Sequence, residues 1–459
     1  MSKLNRLIFG VTLFIALIGG NYMLYHLILP ARVAFHLVAT IGLLACLYVV
    51  GLPHHPFTLG ALAMLAAVVI AIPSAMDPRM ALENGWSAFI NLLLLLTLVQ
   101  LCRAGYEQTL YRAHFAAGAI VAIVAIAEFL IRLTRPYGFF FNISLTGAYA
   151  AALLIPSIHT ARECRNGLRV AYWYLSAILA VTVVISGERG ALLSAGVAGL
   201  VYLSLTTEWR AWVKTLMAAG AGLLLITVLI LMTLQPGHGD GDVERWDLWR
   251  ASMSLIESRP LGVGPGLFAQ AYRQIGTTGQ NRYGDAHNQI LTIGAELGGP
   301  GLAAAAVMLG VFFFCAVNHT LTPSQRAALA ALAGIFAHLI GDSFPAGNFA
   351  LLTSLYVAYV CKDTRLDFPK IVHKGLTWAA VLAVVAWSYT MLQYDRAQYV
   401  YERGLFSGRY YDVYEATKLD PQMRLYGLEL SRLDGAEVVK GSANDLSLYG
   451  LTMYGRVFK

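Results

Sequence analysis

Long apolar runs are the feature that most constrains this chain. Runs of about 17–23 residues, each long enough to cross the roughly 30 Å hydrocarbon layer of a membrane as a helix, recur near residues 7–29, 33–51, 57–73, 85–101, 113–132, 143–158, 171–185, 190–205, 213–235, 301–318, 326–343, 349–361 and 376–393. Composition agrees, with 58% hydrophobic and 13% charged residues and a mean hydropathy of +0.61, far from the norm of soluble domains. The sequence therefore predicts an all-α, polytopic integral membrane protein with about 12–13 transmembrane helices.

The distribution of lysine and arginine predicts which loops face the cytoplasm, because basic residues favour cytoplasmic loops. With the N-terminus inside, the short outer segments hold only Arg32, Arg79, Arg132, Arg135 and Arg189. The short inner segments hold Lys3, Arg6, Arg103, Arg112, Arg162, Arg165, Arg169, Arg210, Lys214, Arg326, Lys362, Arg365, Lys370 and Lys374. The net charge of +7 is thus largely a topological signal and does not imply a nucleic-acid partner.

This orientation divides the chain into four parts. Residues 1–235 carry the first nine spans, 236–300 form one large periplasmic loop with helical segments, 301–393 carry spans ten to thirteen, and 394–459 form a periplasmic helical tail. The tail resembles a single helical hairpin of tetratricopeptide type. We expect the chemistry to reside in the large loop, positioned by the helices.

Within the large loop, three features are candidates for chemistry. Arg245 opens an amphipathic helix whose tryptophans favour a membrane interface. Gly264 belongs to a Gly-rich turn that lacks the strand and the Gly-Lys-Ser/Thr of a phosphate-binding loop, which favours a tight turn near the site. His287, followed by Asn288, can accept a proton from an attacking hydroxyl as a neutral imidazole, or can simply cap a helix.

Further candidates lie outside the large loop. Arg189 follows a short outer turn at the start of a helix, where free backbone N–H groups favour an anion; the alternative is an arginine that snorkels to the surface. His338 and Asp342 have i,i+4 spacing and so share a helix face, either as support for the site or as a structural pair. Arg135, next to an aromatic cluster, favours either an interfacial anchor or contact with an anionic lipid headgroup.

Taken together, these motifs resemble those of the bacterial O-antigen ligase and polymerase superfamily. The pattern His287-Asn288, nine residues and then Gly-x-x-Gly is present, as is Arg-x-x-x-Leu beginning at Arg189. Arg245 and the turn that contains Gly264 complete the resemblance, which spans roughly residues 180–360. The closest resemblance is to an O-antigen ligase.

The resemblance implies an inverting glycan transferase that needs no metal and no cofactor. Its donor would be a glycan on undecaprenyl pyrophosphate, and its acceptor lipid A-core or another glycan or protein, at the periplasmic face of the bacterial inner membrane. By matching position, Arg189 and Arg245 would hold the donor pyrophosphate and His287 would activate the acceptor hydroxyl. Asn288, Gly264, His338 and Asp342 would support them.

Other functions stay open at this point. The same superfamily includes O-antigen and exopolysaccharide polymerases and protein O-oligosaccharyltransferases, and a thirteenth span with a periplasmic tail departs from a twelve-span ligase. A solute transporter is a competing hypothesis from another class. Transporters usually place ionisable groups near the bilayer midplane and show repeated halves, whereas here the charges lie at the outer surface and no repeat is evident.

Overall fold

The computed structural model describes residues 3–19, 29–208, 213, 241–275, 285–343, 347–407, 410–423, 426 and 430. Its helices are α1 (Lys3–Ile18), α2 (Leu29–Val50), α3 (Phe57–Ala71), α4 (Pro78–Arg103), α5 (Glu107–Arg132), α6 (Ile143–Glu163), α7 (Asn166–Ser186), α8 (Arg189–Thr206), α9 (Gly241–Ser258), α10 (Phe268–Gln274), α11 (Gln289–Val317), α12 (Pro323–Leu339), α13 (Gly347–Cys361), α14 (Lys370–Ser407) and α15 (Tyr410–Leu419). The protein is an all-α polytopic membrane protein, as predicted.

Each predicted span within the described residues coincides with a helix, completely or in part. Among the described helices, eight (α2, α4 to α8, α11 and α14) are long and apolar enough to cross a membrane, and α3 and α13 are shorter apolar helices. The predicted span at 213–235 lies, apart from its first residue, outside the described residues, as do residues 431–459 of the predicted tail.

Two helices extend beyond the predicted boundaries. α11 begins at Gln289 rather than at 301 and bends at Gly298, whose φ of 64° and ψ of −157° interrupt the helical backbone just before Pro300. Glycine followed closely by proline is a common cause of such a kink. α14 continues past residue 393 to Ser407, so the predicted tail starts as an extension of a long helix.

The interior of the bundle is built around α4 and α6. In the most apolar 18-residue stretches of α4 and α6, 67% and 72% of the residues are buried, whereas in that of α14 the fraction is 17%. Large side chains of α4, including Trp86 and Phe89, fill the core, whereas α6 presents small residues such as Gly147 and Ala151. Small residues let membrane helices approach closely, since lipid gives no hydrophobic drive for helix association.

The Gly-rich turn, residues 259–266, packs against the kink of α11. The Gly264 N–H donates to the backbone oxygen of Glu296 (3.0 Å), and the Gly266 N–H donates to its carboxylate Oε2 (2.9 Å). A Cβ at Gly262 would come within 2.2 Å of the Glu296 carbonyl oxygen, and Gly262 has a φ of 83°. Only glycine fits that position. The contacts between the turn and the kink therefore hold both in place.

Buried ion pairs tie the C-terminal hairpin of α14 and α15 to earlier helices. Arg79 at the start of α4 donates to Asp420 Oδ2 from Nε (2.9 Å) and Nη2 (2.7 Å). Asp395 in α14 pairs with Arg32 (2.7 Å) and with His36 Nδ1 (2.7 Å). Removing one partner of such a pair leaves a buried charge uncompensated, which is costly. The hairpin is therefore an integral part of this end of the bundle.

Basic residues predicted to be cytoplasmic cluster at the far end of α4. Arg103, the last residue of α4, donates to the carbonyl oxygen of Lys362 (2.7 Å), and Lys362 pairs with Glu107 (3.1 Å). Arg326 donates to the Leu205 carbonyl oxygen (3.1 Å). These contacts join helix ends remote from the start of α4, which lies beside the Gly-rich turn.

Candidate active site

His287 and Asp342 form a hydrogen-bonded pair. His287 Nδ1 lies 2.8 Å from Asp342 Oδ1, and the side chains are 24% and 9% exposed. The same carboxylate oxygen accepts from the Ser343 N–H at 2.8 Å. Because an ionised carboxylate can only accept, we assign the ring proton to Nδ1, which leaves the lone pair of the neutral ring on Nε2. The pair therefore has the arrangement of a general base with its orienting carboxylate.

The pKa values of both groups follow from this contact. Burial lowers the pKa of His287, but the hydrogen bond and charge of Asp342, together with the charge of Asp285, outweigh burial and the charge of Arg245, so the pKa lies above its ordinary value. Burial raises the pKa of Asp342, but the His287 hydrogen bond and the charges of both histidines prevail and hold it below its usual value. Asp342 thus stays ionised while His287 gains affinity for a proton.

Local backbone geometry sets the direction of the His287 side chain. His287 has a φ of 49°, in the left-handed region that non-glycine residues seldom adopt, and its N–H donates to Asp285 Oδ1 (2.7 Å). Asn288 caps α11 by accepting two backbone N–H groups of the first turn, and its Nδ2 donates to the Ile340 carbonyl oxygen (2.9 Å). Asn288 therefore fixes the start of α11 against the end of α12, where Asp342 follows.

A small cleft lies beside this pair, between the start of α8, α9 and the end of α12. Its lining residues are Glu188, Gly190, Leu193, Arg245, Ala337, His338, Gly341 and Asp342. Arg245 is partly buried, and its charge acts on His287. The structure thus brings together Arg245, His287 and Asp342, which are far apart in the sequence.

Arg189 occupies the first position of α8, between the cleft residues Glu188 and Gly190. It is exposed, and Glu188 makes no side-chain hydrogen bond to the first turn of the helix. A helix start of this kind offers N–H groups to an anion. Arg189 therefore stands at the rim of the cleft rather than among its lining residues.

His338 packs directly on the first turn of α8. Its side chain is 1% exposed, and its Nε2 lies 3.9 Å from Asp342 Oδ2, beyond hydrogen-bond distance. A Cβ at Gly190 would lie 2.4 Å from His338 Nε2 and 2.7 Å from Cδ2. The close approach that Gly190 permits is thus that of His338.

Gly264 lies away from the cleft. It has a φ of 107°, and a Cβ there would lie 2.5 Å from the Ala75 side chain and 3.2 Å from that of Ala81. The turn is further joined to the α3–α4 connection by the Met76 N–H, which donates to the Val263 oxygen (3.0 Å). Gly264 therefore helps to pack the Gly-rich turn against the α3–α4 connection and the start of α4, and it does not line the cleft.

Glu188 is the cleft residue that the sequence analysis missed. Its Oε2 accepts from Ser144 Oγ (3.1 Å) and lies 3.5 Å from Arg135 Nη2. Its position next to Arg189 in the short turn was the available signal. An acidic residue beside a proposed anion site runs against that interpretation.

Three cleft residues also have the spacing of metal ligands. Donor atoms of Glu188, His338 and Asp342 all lie within 4.8 Å of one another. However, Asp342 accepts from His287, Glu188 contacts Ser144 and Arg135, and the cationic Arg245 lines the same cleft. A nearby guanidinium opposes a divalent cation. We therefore assign Asp342 to its contact with His287, and Glu188 to its contacts with Ser144 and Arg135.

Comparison with known proteins relates one segment of the chain, which carries part of this site, to a family. Residues 174–306 match the family model described as O-antigen ligase. This segment of the chain is similar to the O-antigen ligase family. Members of that family are associated with glycan transfer and lipid-linked glycans in general. No curated protein matches the chain.

The O-antigen ligase match covers only part of the site. Arg189, Arg245 and His287 lie within residues 174–306, whereas His338 and Asp342 lie beyond them. The contact between His287 and Asp342 therefore joins the matched segment to a part of the chain that the family model does not reach.

Proposed function

We propose that this protein transfers a glycan from undecaprenyl pyrophosphate to an acceptor hydroxyl at the periplasmic face of the bacterial inner membrane, with lipid A-core as the acceptor. The observation that carries the proposal is the His287–Asp342 pair beside a cleft lined by Arg245. The match of residues 174–306 to the O-antigen ligase family model supports glycan transfer.

In the proposed reaction, His287 Nε2 takes the proton of the acceptor hydroxyl as its oxygen attacks the anomeric carbon of the donor glycan. The bond from that carbon to the pyrophosphate oxygen breaks, and undecaprenyl pyrophosphate leaves with the electron pair. A single displacement of this kind inverts the anomeric configuration. Asp342 stabilises the imidazolium through Nδ1–H, and the proton later leaves to water.

Arginines supply the charge that the leaving group requires. A guanidinium can form two parallel hydrogen bonds to phosphate oxygens, and it stays protonated at any physiological pH. Arg245 within the cleft and Arg189 at the start of α8 would hold the pyrophosphate and stabilise the negative charge that develops on it. The displacement then needs no metal ion.

The C-terminal hairpin favours a second candidate, a polymerase or a protein O-oligosaccharyltransferase. α15 is anchored to α4 through Arg79 and Asp420, and the start of α4 lies beside the Gly-rich turn that supports α11. A structured element joined through α4 to the frame that supports α11 could receive a glycan chain or a polypeptide in place of lipid A-core.

Proteoliposomes that contain undecaprenyl-pyrophosphate-linked oligosaccharide, with or without lipid A-core, test the proposal. We expect a core-dependent product with the wild type and a loss of about 10²-fold or more with His287→Ala, the usual contribution of a general base. His319→Ala, which changes a histidine bonded to the Val360 carbonyl oxygen, should transfer at the wild-type rate.

The acceptor dependence separates the candidates. Longer lipid-linked chains formed without core would identify a polymerase, and transfer to protein serines an oligosaccharyltransferase. Unchanged transfer by His287→Ala would refute the assignment of the base. No transfer by the wild type to any acceptor, together with altered solute uptake, would favour a transporter.

A further inference from the structure

Glu188 places a negative charge where the donor diphosphate should bind. It lines the cleft together with Arg245, immediately precedes Arg189, and its side chain is 15% exposed. Two like charges a few ångströms apart repel strongly when they are partly shielded from water. A donor site next to an uncompensated Glu188 would therefore repel the donor.

Arg135, which does not line the cleft, contacts the Glu188 carboxylate. Its Nη2 lies 3.5 Å from Glu188 Oε2, and its Nε donates to the Ser186 carbonyl oxygen (2.7 Å) at the last residue of α7. The guanidinium lies over Gly187, where a Cβ would come within 3.1 Å of Nε. With a side chain 53% exposed, Arg135 links the rim of the cleft to the turn between α7 and α8.

Ser144 completes the arrangement. Its hydroxyl donates to Glu188 Oε2 at 3.1 Å, so this oxygen faces both a hydroxyl donor and a guanidinium. Both partners come from residues 135–144, which precede α6 or lie in its first turn, and neither of them lines the cleft. The contacts therefore hold one oxygen of the Glu188 carboxylate against two groups that do not line the cleft.

We propose that Arg135 and Glu188 form an internal counter-ion pair that sets the charge of the donor site, with Arg135 compensating Glu188 so that the diphosphate of the lipid donor can bind beside it. Arg135 is thus a positioning residue that acts through Glu188 and does not touch the donor. The inference rests on the proposed function, because it takes a diphosphate as the ligand of the cleft.

A double-mutant cycle on the full-length protein in proteoliposomes tests this inference. Donor KM and kcat would be measured for Arg135→Ala, Glu188→Gln and the double variant. Binding of undecaprenyl pyrophosphate to the same variants in a His287→Ala background gives a readout that is independent of transfer. The matched control is Arg132→Ala in the same segment, since Arg132 is 61% exposed and pairs instead with Glu128 (3.1 Å).

We expect Arg135→Ala to raise the donor KM about three- to fivefold with kcat unchanged, as suits one partly exposed ion pair. Added salt should reduce the effect. Glu188→Gln should bind the donor as well as the wild type or better, and the double variant should return to within about twofold of the wild-type KM. Arg132→Ala should leave the KM unchanged.

Other outcomes would overturn the inference in distinct ways. If the double variant binds as weakly as Arg135→Ala, Arg135 contacts the donor directly or only maintains the turn. Should Arg135→Ala fail to fold, as judged by thermal unfolding, a weaker donor affinity of Glu188→Gln alone would be sufficient refutation. A wild type that neither binds undecaprenyl pyrophosphate nor transfers glycan would instead refute the proposed function.

Discussion

Replacing Asp342 with asparagine should separate the charge of this side chain from its geometry. Oδ1 accepts from both His287 Nδ1 and the Ser343 N–H, so the amide oxygen of asparagine should keep that position. The amide nitrogen would then replace Oδ2, which lies 3.9 Å from His338 Nε2. The tautomer and orientation of His287 should therefore persist, and only the negative charge is lost.

The size of the effect follows from the kind of hydrogen bond that is changed. A bond to a charged partner contributes about 1.5–3 kcal/mol and a neutral one about 0.5–1.5 kcal/mol. Asp342→Asn should thus reduce kcat by roughly tenfold, which corresponds to about 1.4 kcal/mol. Asp342→Ala removes the whole bond and should cost roughly a hundredfold or more.

The pH profile gives the more specific signature. The base form of His287 must be neutral, so activity should rise as the pH passes through its pKa. Asp342 raises that pKa through its hydrogen bond and charge. Losing the charge lets burial and the nearby Arg245 lower the pKa, so the acid limb of kcat should move to lower pH in Asp342→Asn.

The assay is initial-rate transfer in proteoliposomes between pH 5 and 9, with thermal unfolding of each variant as a control for folding. Only kcat and the acid limb should change for Asp342→Asn, while the donor KM stays near the wild-type value. An acid limb that stays in place or moves to higher pH would refute the assignment of His287 as the group that titrates.

Three further predictions concern residues around the cleft. Gly190→Ala should lower the free energy of unfolding by about 1–3 kcal/mol, because the added Cβ displaces the buried His338, and a lower thermal midpoint would show this. Gly199→Ala in α8 is the control, because a Cβ there meets nothing within 4 Å and should not destabilise the protein. Equal midpoints of the two variants would contradict the packing argument. Arg245→Lys should raise the donor KM about tenfold, because lysine lacks the bidentate fork; a wild-type KM would exclude a diphosphate contact. Glu296→Gln, which keeps an acceptor for the Gly-rich turn, should retain activity, whereas Glu296→Ala should lose stability by about 1–3 kcal/mol; equal unfolding of the two would disprove that role.

The all-α membrane fold was predictable because apolar runs and basic loops are local signals. Helix ends were less so. Gly298 and Pro300 indicate a break, yet α11 passes through them as a kink, because the Gly-rich turn packs against the bend. That support comes from a segment about 30 residues earlier in the chain, since Gly266 contacts Glu296. No local sequence pattern reveals such a contact.

The sequence indicates the residue types of the candidate site but not their pairings. His287 and Asp342 are 55 residues apart, and the i,i+4 spacing with His338 suggested a different partner for Asp342. The structure puts His338 beyond hydrogen-bond distance of Asp342 and against Gly190. Pairing across distant helices depends on how they pack, and the sequence pattern of a single helix carries no such information.

The pairing of Asp395 with Arg32 and His36 has a consequence for how the protein is made. His36 and Asp395 are 359 residues apart, and at about 5–20 residues per second the ribosome needs roughly 20–70 s to cover that distance. During this interval α2 is present in the nascent chain without the carboxylate that neutralises it. The basic end of α2 must wait in water or among lipid headgroups, so this end of the bundle can close only after α14 has been synthesised.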